Sequence, residues 1–351
     1  MNKSAFALAV LSAMTGAASA QSSVILFGVA DLAARYVKNG GAGTQKQLSA
    51  GGLNTGRFGF RGVEDLGGGL FAGFHLESTV GPDVGAAGAA ATGKFFDRRS
   101  TVSLTNPMGE LRLGRDYNPT FWNTAIFDPF GAVGVGTVLN FTAGATLGSG
   151  ATTTLRNDNS IGYFLPTNLG GVYGQAMVAA GEGTPGNKYV GGRLGYAAGP
   201  FDAAIAYGRT ETAFASDFDQ SNIGASYKFG SVKAMGLYHI AKFGVIKQRT
   251  MLIGATTTFG QSEIRASYIV NDRSGGAAGS GFANGDDSRL MALGYVLNLS
   301  KRTALYGTAS RITNDGAARA VVGGFPNNPA LTGMLGGQTS SGFEMGVSHR
   351  F

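Results

Sequence analysis

The last nine residues, Phe343-Glu-Met-Gly-Val-Ser-His-Arg-Phe351, alternate with a period of two up to the terminal residue. Phe343, Met345, Val347 and Phe351 share one parity, with His349 the only polar interruption, while Glu344, Gly346, Ser348 and Arg350 share the other. Successive side chains of a strand point to opposite faces. The segment is therefore a strand with one greasy face and one polar face, ending flush with the chain. The closing strand of a membrane-spanning β-barrel has this form, because its outside meets lipid and its inside meets water. A half-buried strand of a soluble protein would alternate too, so the rest of the chain decides.

Seven short, turn-like connections recur along the sequence, at 64–69, 105–109, 166–171, 198–200, 229–231, 259–261 and 299–302. Gly, Asn and Pro in them supply the backbone angles that tight hairpins need. Eight longer connections alternate with them, around 38–51, 79–94, 116–156, 182–188, 212–218, 241–248, 273–287 and 313–340. The segments between are of the length expected of tilted membrane strands, about 10 residues. Seven short turns and eight long loops join sixteen strands and leave both termini on the short-turn side. Short turns on one rim and long loops on the other are the signature of an outer-membrane barrel.

The individual strands carry two faces. Ile264, Ala266, Tyr268 and Val270 oppose Glu263, Arg265, Ser267 and Asn271, and in the first strand Asp31 and Arg35 oppose Leu26, Leu32 and Tyr36. Tyr163, Phe164, Tyr196, Phe201, Tyr227, Phe229, Phe259 and Phe351 all lie within a few residues of a short turn. A soluble sandwich would point its large aromatics at a core. Here they form the girdle expected at a membrane interface.

At the other end, Lys3 provides a basic start, Ala5 to Met14 an apolar run, and Ala18-Ser19-Ala20 a small-residue cleavage site. The expected organisation is a secretory signal peptide over 1–20 and a single barrel over 21–351. The apolar run is far shorter than the roughly 20 residues of a spanning helix. The chain has no Cys among its 351 residues, which excludes disulfides and thiolate chemistry. Its formal charge of +7 is carried by basic residues dispersed singly, not in an arm or stripe, so no nucleic-acid partner is expected.

Three segments carry a family resemblance. Val24-Ile-Leu-Phe-Gly-Val-Ala-Asp31 resembles the first strand of the general-diffusion porins of Gram-negative bacteria, in the form common among betaproteobacteria. Arg57-Phe-Gly-Phe-Arg-Gly-Val-Glu-Asp-Leu-Gly-Gly-Gly-Leu70 is similar to that family's second strand and first turn, and Gly109-Glu-Leu-Arg-Leu-Gly-Arg-Asp116 to the strand leading into its third loop. The terminal Phe351 matches as well. The resemblance spans Gln21 to Phe351 and implies a sixteen-stranded antiparallel barrel in the outer membrane, assembled as a homotrimer amid membrane lipid and lipopolysaccharide. It also implies passive diffusion of small hydrophilic solutes, an inward-folded third loop, and a C-terminal strand ending at Phe351 that is read by the barrel-assembly machinery.

Function in such a chain lies in a constriction and the field inside it. The connection from Asp116 to Arg156 is too long to be a mere link, and its aromatics Tyr117, Phe121, Trp122, Phe127 and Phe130 ask for packing inside something. The resemblance places a cluster of arginines on the wall facing this loop, with Arg35, Arg57, Arg61, Arg98, Arg99 and Arg115 as candidates. Arg57 and Arg61 share the lumen parity, since Phe58 and Phe60 take the lipid side, and Arg35 shares that of Asp31. Arg98 and Arg99 are adjacent, so alternation lets only one point straight inward, and for Arg115 it is silent. Asp116 and Asp128 are the only carboxylates of the loop. An arginine-rich wall facing two carboxylates gives a positive constriction and anion preference.

No enzyme is expected. His75, His239 and His349 are far apart and lack metal-ligand spacing, neither a G-x-S-x-G element nor a phosphate loop occurs, and no cofactor or metal is implied. His75 shares its parity with Glu77 and faces the pore; His349 takes the lipid parity. Two alternatives use the same barrel: a channel selective for organic acids or phosphate, and an adhesion or structural barrel whose long loops bind a partner.

Overall fold

The structure, a computed structural model, describes residues 23–89, 93–323 and 334–351. The expected signal peptide lies outside these residues. In chain order come β1 (Ser23–Asn39), β2 (Gly43–Ala50), β3 (Arg57–Gly67), β4 (Leu70–Gly81), β5 (Ala86–Ala87), β6 (Arg99–Asn106) and β7 (Gly109–Tyr117). Two helices follow, α1 (Pro119–Ile126) and α2 (Leu139–Thr142), and then β8 (Arg156–Phe164), β9 (Val172–Ala179), β10 (Tyr189–Ala198) and β11 (Phe201–Thr210). The remaining strands are β12 (Phe218–Phe229), β13 (Val232–Phe243), β14 (Ile246–Phe259), β15 (Ser262–Ser274), β16 (Ser288–Asn298), β17 (Thr303–Asn314) and β18 (Ser340–Arg350).

Each strand pairs antiparallel with its neighbours, and β18 pairs with β1 to close the sheet. β2 and β3 both pair with β1, one above the other, and form a single stave interrupted at 51–56. β5 is a two-residue partner of β4 within the second loop. The barrel thus has sixteen staves, as the turn pattern predicts. Its seam is sealed at the terminus: the Phe351 N–H donates to the Gly28 carbonyl and the Gly28 N–H to the Phe351 carbonyl, each at 3.1 Å. A side chain at Gly28 would sit 2.2 Å from the Phe351 ring, so glycine there lets the terminal aromatic lie across the seam. Closure leaves none of the described staves with an unpaired edge, a requirement for any sheet in lipid.

The two faces separate cleanly. On β18, Phe343, Met345 and Val347 are about half exposed on the outer wall, while Glu344 and Ser348 are buried inside. On β15, Ser267 and Asn271 point inward and Ile264 outward. Some inward positions are apolar and fully buried, among them Leu252, Ile269, Leu290 and Ile312. They cluster with Phe127, Phe130, Val135 and Val138 of the third loop, so the greasy part of the inner wall is where that loop lies.

The seven short turns fall where expected. Two long connections do not. The segment 38–51 is almost all strand, with a tight turn at 40–42, and 241–248 closes at 244–245. Positive φ at Gly41, Gly43 and Gly244 makes these tight turns possible. The second stave, β2 with β3, breaks lower down instead: the Gly52 and Asn54 N–H groups donate to the buried Asp31 carboxylate at 2.9 and 2.8 Å, and Tyr306 Oη donates to it at 2.6 Å.

Candidate pore constriction

The third loop, running from Asn118 to Leu155, is built to lie on the inner wall. Asn118 caps α1: its Oδ1 accepts from the Phe121 N–H at 2.7 Å and from Thr120 Oγ1 at 2.9 Å, and Pro119 opens the first turn. α1 packs on β10, β11 and β12. Asn222 of β12 donates to the Thr120 carbonyl at 2.9 Å, and Arg193 of β10 donates to Asn123. Beyond α1 the loop presses onto wall glycines. A Cβ at Gly224 would fall 2.0 Å from Phe127, one at Gly254 2.6 Å from Pro129, and one at Gly294 3.0 Å from Phe130. Glycines facing the lumen on β12, β14 and β16 therefore make the seats into which the loop drops.

Asp128 organises the bend that follows. Its Oδ1 accepts from the Phe130 N–H at 3.0 Å, and its Oδ2 from Thr137 Oγ1 at 2.7 Å, the Val138 N–H at 3.1 Å and the Ala132 N–H at 3.2 Å. Burial pushes this carboxyl above the usual carboxylate range, against the pull of those four bonds. The loop tip then meets β18, where the Val135 N–H donates to Glu344 Oε1 at 2.9 Å. Glu344 is in turn paired with Arg35 at 2.7 Å, both almost wholly buried. On the way back Gln248 donates to the Phe141 carbonyl at 2.8 Å.

The loop thus follows the wall from β9 round to β18, and a charged cluster occupies the lumen faces of β3, β4, β6, β7 and β8. Arg98 Nε donates to Glu77 Oε1 at 2.5 Å and its Nη2 to Tyr117 Oη at 2.8 Å. Arg156 donates to the same Tyr117 oxygen at 2.5 Å, with its guanidinium 4.1 Å above the ring, and Tyr117 stacks on Phe121 at 4.6 Å. One tier away, Arg112 bridges Asp116 at 2.6 Å and Glu110 at 2.9 Å, and Arg99 lies 3.9 Å from Asp116. Arg57, Arg61 and Arg156 make no ion pair among the described residues. Arg61 lies nearer the short-turn rim, 5.4 Å over the Phe27 ring.

The candidates thus divide. Arg57, Arg98, Arg99 and Asp116 come together in the cluster, with Arg61 below it. Arg98 and Arg99 both reach inward, which corrects the expectation that only one does: Arg98 precedes the first residue of β6, where strand alternation has not begun. Arg115 is tied to Asp158 at 2.6 Å and to the Asp97 carbonyl at 2.6 Å. Arg35 and Asp128 are buried anchors of the loop and do not line the lumen. Phe351 seals the seam. Arg112, Arg156, Arg193 and Tyr117 complete the site without having been candidates; the parity of Arg112 with Glu110, opposed by Leu111 and Leu113, was the available signal for one of them. His75 stands 3.4 Å from Glu77 on the lumen face, and His349 is exposed on the outer wall beside Thr303.

A family model described as Gram-negative porin matches residues 7–317. The chain is 39% identical over 368 residues to outer membrane porin protein 32 of Delftia acidovorans, with all of both chains covered. It superposes on an anion-selective porin from Comamonas acidovorans with a TM-score of 0.84 at 36% identity, covering 94% of this chain and 100% of the other. A trimer form of OmpT of Vibrio cholerae shares the fold alone, with a TM-score of 0.64 at 12% identity, covering 94% and 99%. The relatives are channels, not enzymes. A sixteen-stave barrel, an inward-folded third loop and full-length similarity agree: the chain belongs to the Gram-negative porin family and forms a channel of the outer membrane.

Proposed function

We propose that the channel carries small hydrophilic solutes and ions by passive diffusion and prefers anions. The observation that carries this reading is the imbalance of charge across the lumen. Among the described residues Arg57, Arg61 and Arg156 lack carboxylate partners, whereas the loop's Asp128 is consumed by donors of its own loop and Asp116 is held by Arg112. Fixed guanidinia on a low-dielectric wall focus a positive potential in the gap, drawing anions in and repelling cations. The pairing of Arg98 with Glu77 fixes one member rigidly, and the aromatic stack of Arg156, Tyr117 and Phe121 fixes another. The anion selectivity of the Comamonas porin supports the same direction. The test is the reversal potential in a salt gradient: an anion-side value that shrinks in Arg57→Ser and Arg156→Ser supports the reading, and an unchanged value refutes it.

The mature chain, on this reading, begins at Gln21 after loss of residues 1–20 and assembles as a homotrimer in contact with membrane lipid and lipopolysaccharide. The strand ending at Phe351 serves as the assembly signal, and no reaction is catalysed. The closed seam at Gly28 and Phe351 supports a role for the last residue that a shortened chain would lose.

A further inference from the structure

A cavity of about 430 Å³ lies away from the arginine cluster, between the third, seventh and eighth loops. Its floor is the α2 segment, its wall the outer ends of β14 and β15 at Gln248 and Arg273, and its sides residues 279–282 and 317–321. Among the described residues only two of those lining it are charged, Arg273 and Arg319, and none is acidic. Arg273 is held in place: its Nε donates to Gln248 Oε1 at 3.0 Å, its Nη1 to the Gly281 carbonyl at 3.1 Å, and its guanidinium lies 5.1 Å from the Phe282 ring centre. Arg319 is exposed and has no partner among the described residues.

The nearby carboxylates are occupied elsewhere. Asp286 accepts from the Ala283 N–H at 2.8 Å and the Ala317 N–H at 2.7 Å, stapling the seventh loop to the eighth, and Asp287 accepts from the Arg273 N–H at 3.0 Å. Asp286 and Asp287 spend their charge on backbone donors and Asp315 of the eighth loop on Arg289, so among the described residues neither guanidinium of the cavity has a carboxylate partner. The volume exceeds what an inorganic ion needs and falls within the usual size of small-molecule sites. A guanidinium presents a planar fork of donors that matches a carboxylate in two parallel bonds, whereas chloride offers it a single point.

We propose that this cavity is a docking site for small carboxylate-bearing solutes, which it gathers on the long-loop side before they enter the constriction. The inference rests on the diffusion-channel reading. It goes beyond that reading by adding a saturable step at Arg273 and Arg319.

The test titrates succinate against the full-length mature barrel, folded in detergent and checked by its heat-dependent mobility on a gel. Binding is followed by calorimetry, with chloride conductance in planar bilayers measured alongside. The expected result is saturable succinate binding whose half-saturation rises about tenfold or more in Arg319→Gln and in Arg273→Gln with Arg319→Gln, as loss of charge-assisted hydrogen bonds implies. Arg319 is exposed on a loop, so its single variant reads the site even where the double variant does not fold. Lys188→Gln, on the fourth loop, serves as the control. Binding that does not saturate, or that is unmoved in Arg319→Gln, overturns the proposal. Equal affinity for inorganic phosphate overturns the assignment to carboxylates. Absence of chloride conductance from a barrel that binds succinate would sink the channel reading and leave the docking site standing.

Discussion

Glu344 should decide whether the third loop stays against the wall. It accepts the Val135 N–H at the loop tip and pairs with Arg35 at 2.7 Å, and neither side chain is open to water. In Glu344→Ala both contacts go at once, leaving a guanidinium uncompensated and a backbone donor orphaned in a buried place. Removing one partner of a buried pair costs about 3–5 kcal/mol, and an unsatisfied buried donor about 1–3 kcal/mol more. Since each 1.4 kcal/mol is roughly a factor of ten in population, the docked tip should lose at least about a hundredfold in its preference for the wall. In single-channel recordings the variant should show larger and noisier open levels than wild type. Arg35→Gln with Glu344→Gln restores neutrality and keeps an acceptor for Val135, so it should recover steady openings. A quiet, wild-type conductance in Glu344→Ala would show that Glu344 does not hold the loop, as would a double variant no better than the single one.

Further outcomes follow from the same geometry. Arg57→Ser should move the reversal potential toward zero more than Arg61→Ser, because Arg61 lies toward the short-turn rim on Phe27; equal effects would contradict the placement. Gly224→Ala puts a methyl where Phe127 lies, so it should lower stability by about 1–3 kcal/mol, read from the temperature at which the barrel loses its compact gel mobility; an unchanged midpoint would show that the loop does not sit on β12. The Asp128 carboxyl is raised by burial, so its stabilising contribution is complete below about pH 4 and is lost as pH climbs through the folded value. Acid therefore does not free the third loop through Asp128: wild type and Asp128→Asn should show the same change in open level between pH 7 and pH 4, and an acid-induced rise present in wild type and lost in Asp128→Asn would contradict this.

The parity of β1, β15 and β18 was legible in the sequence because lipid and water impose a period of two. Six of the seven short turns were legible through their glycines; the seventh, Leu299-Ser-Lys-Arg302, has neither glycine nor proline and was legible only through its place between two alternating segments. The first and sixth long-loop connections misled for a physical reason. Where strands rise above the lipid their outward residues become polar, as Lys38, Lys46, Lys242 and Lys247 do, and a polar strand end looks like a loop. The loop anchors were hidden for another reason. Arg35 and Glu344 are 309 residues apart and meet only because the barrel closes. Asp128 read as a pore charge because sequence does not reveal that four donors would fold back onto it. The adjacent arginines 98 and 99 were constrained by an alternation that begins one residue too late to bind them. Arg156 stood in plain view at the end of the third loop, but its seat on Tyr117 exists only once β7 and β8 are paired.

The most direct test of a positively lined diffusion channel is the reversal potential of the wild-type protein, refolded from Gln21 to Phe351 and inserted in a planar bilayer across a salt gradient. Steady openings and a potential on the anion side are expected. Openings with a cation-side potential would contradict the assignment of the field to Arg57, Arg61 and Arg156, and a correctly folded barrel that does not conduct would contradict the channel itself.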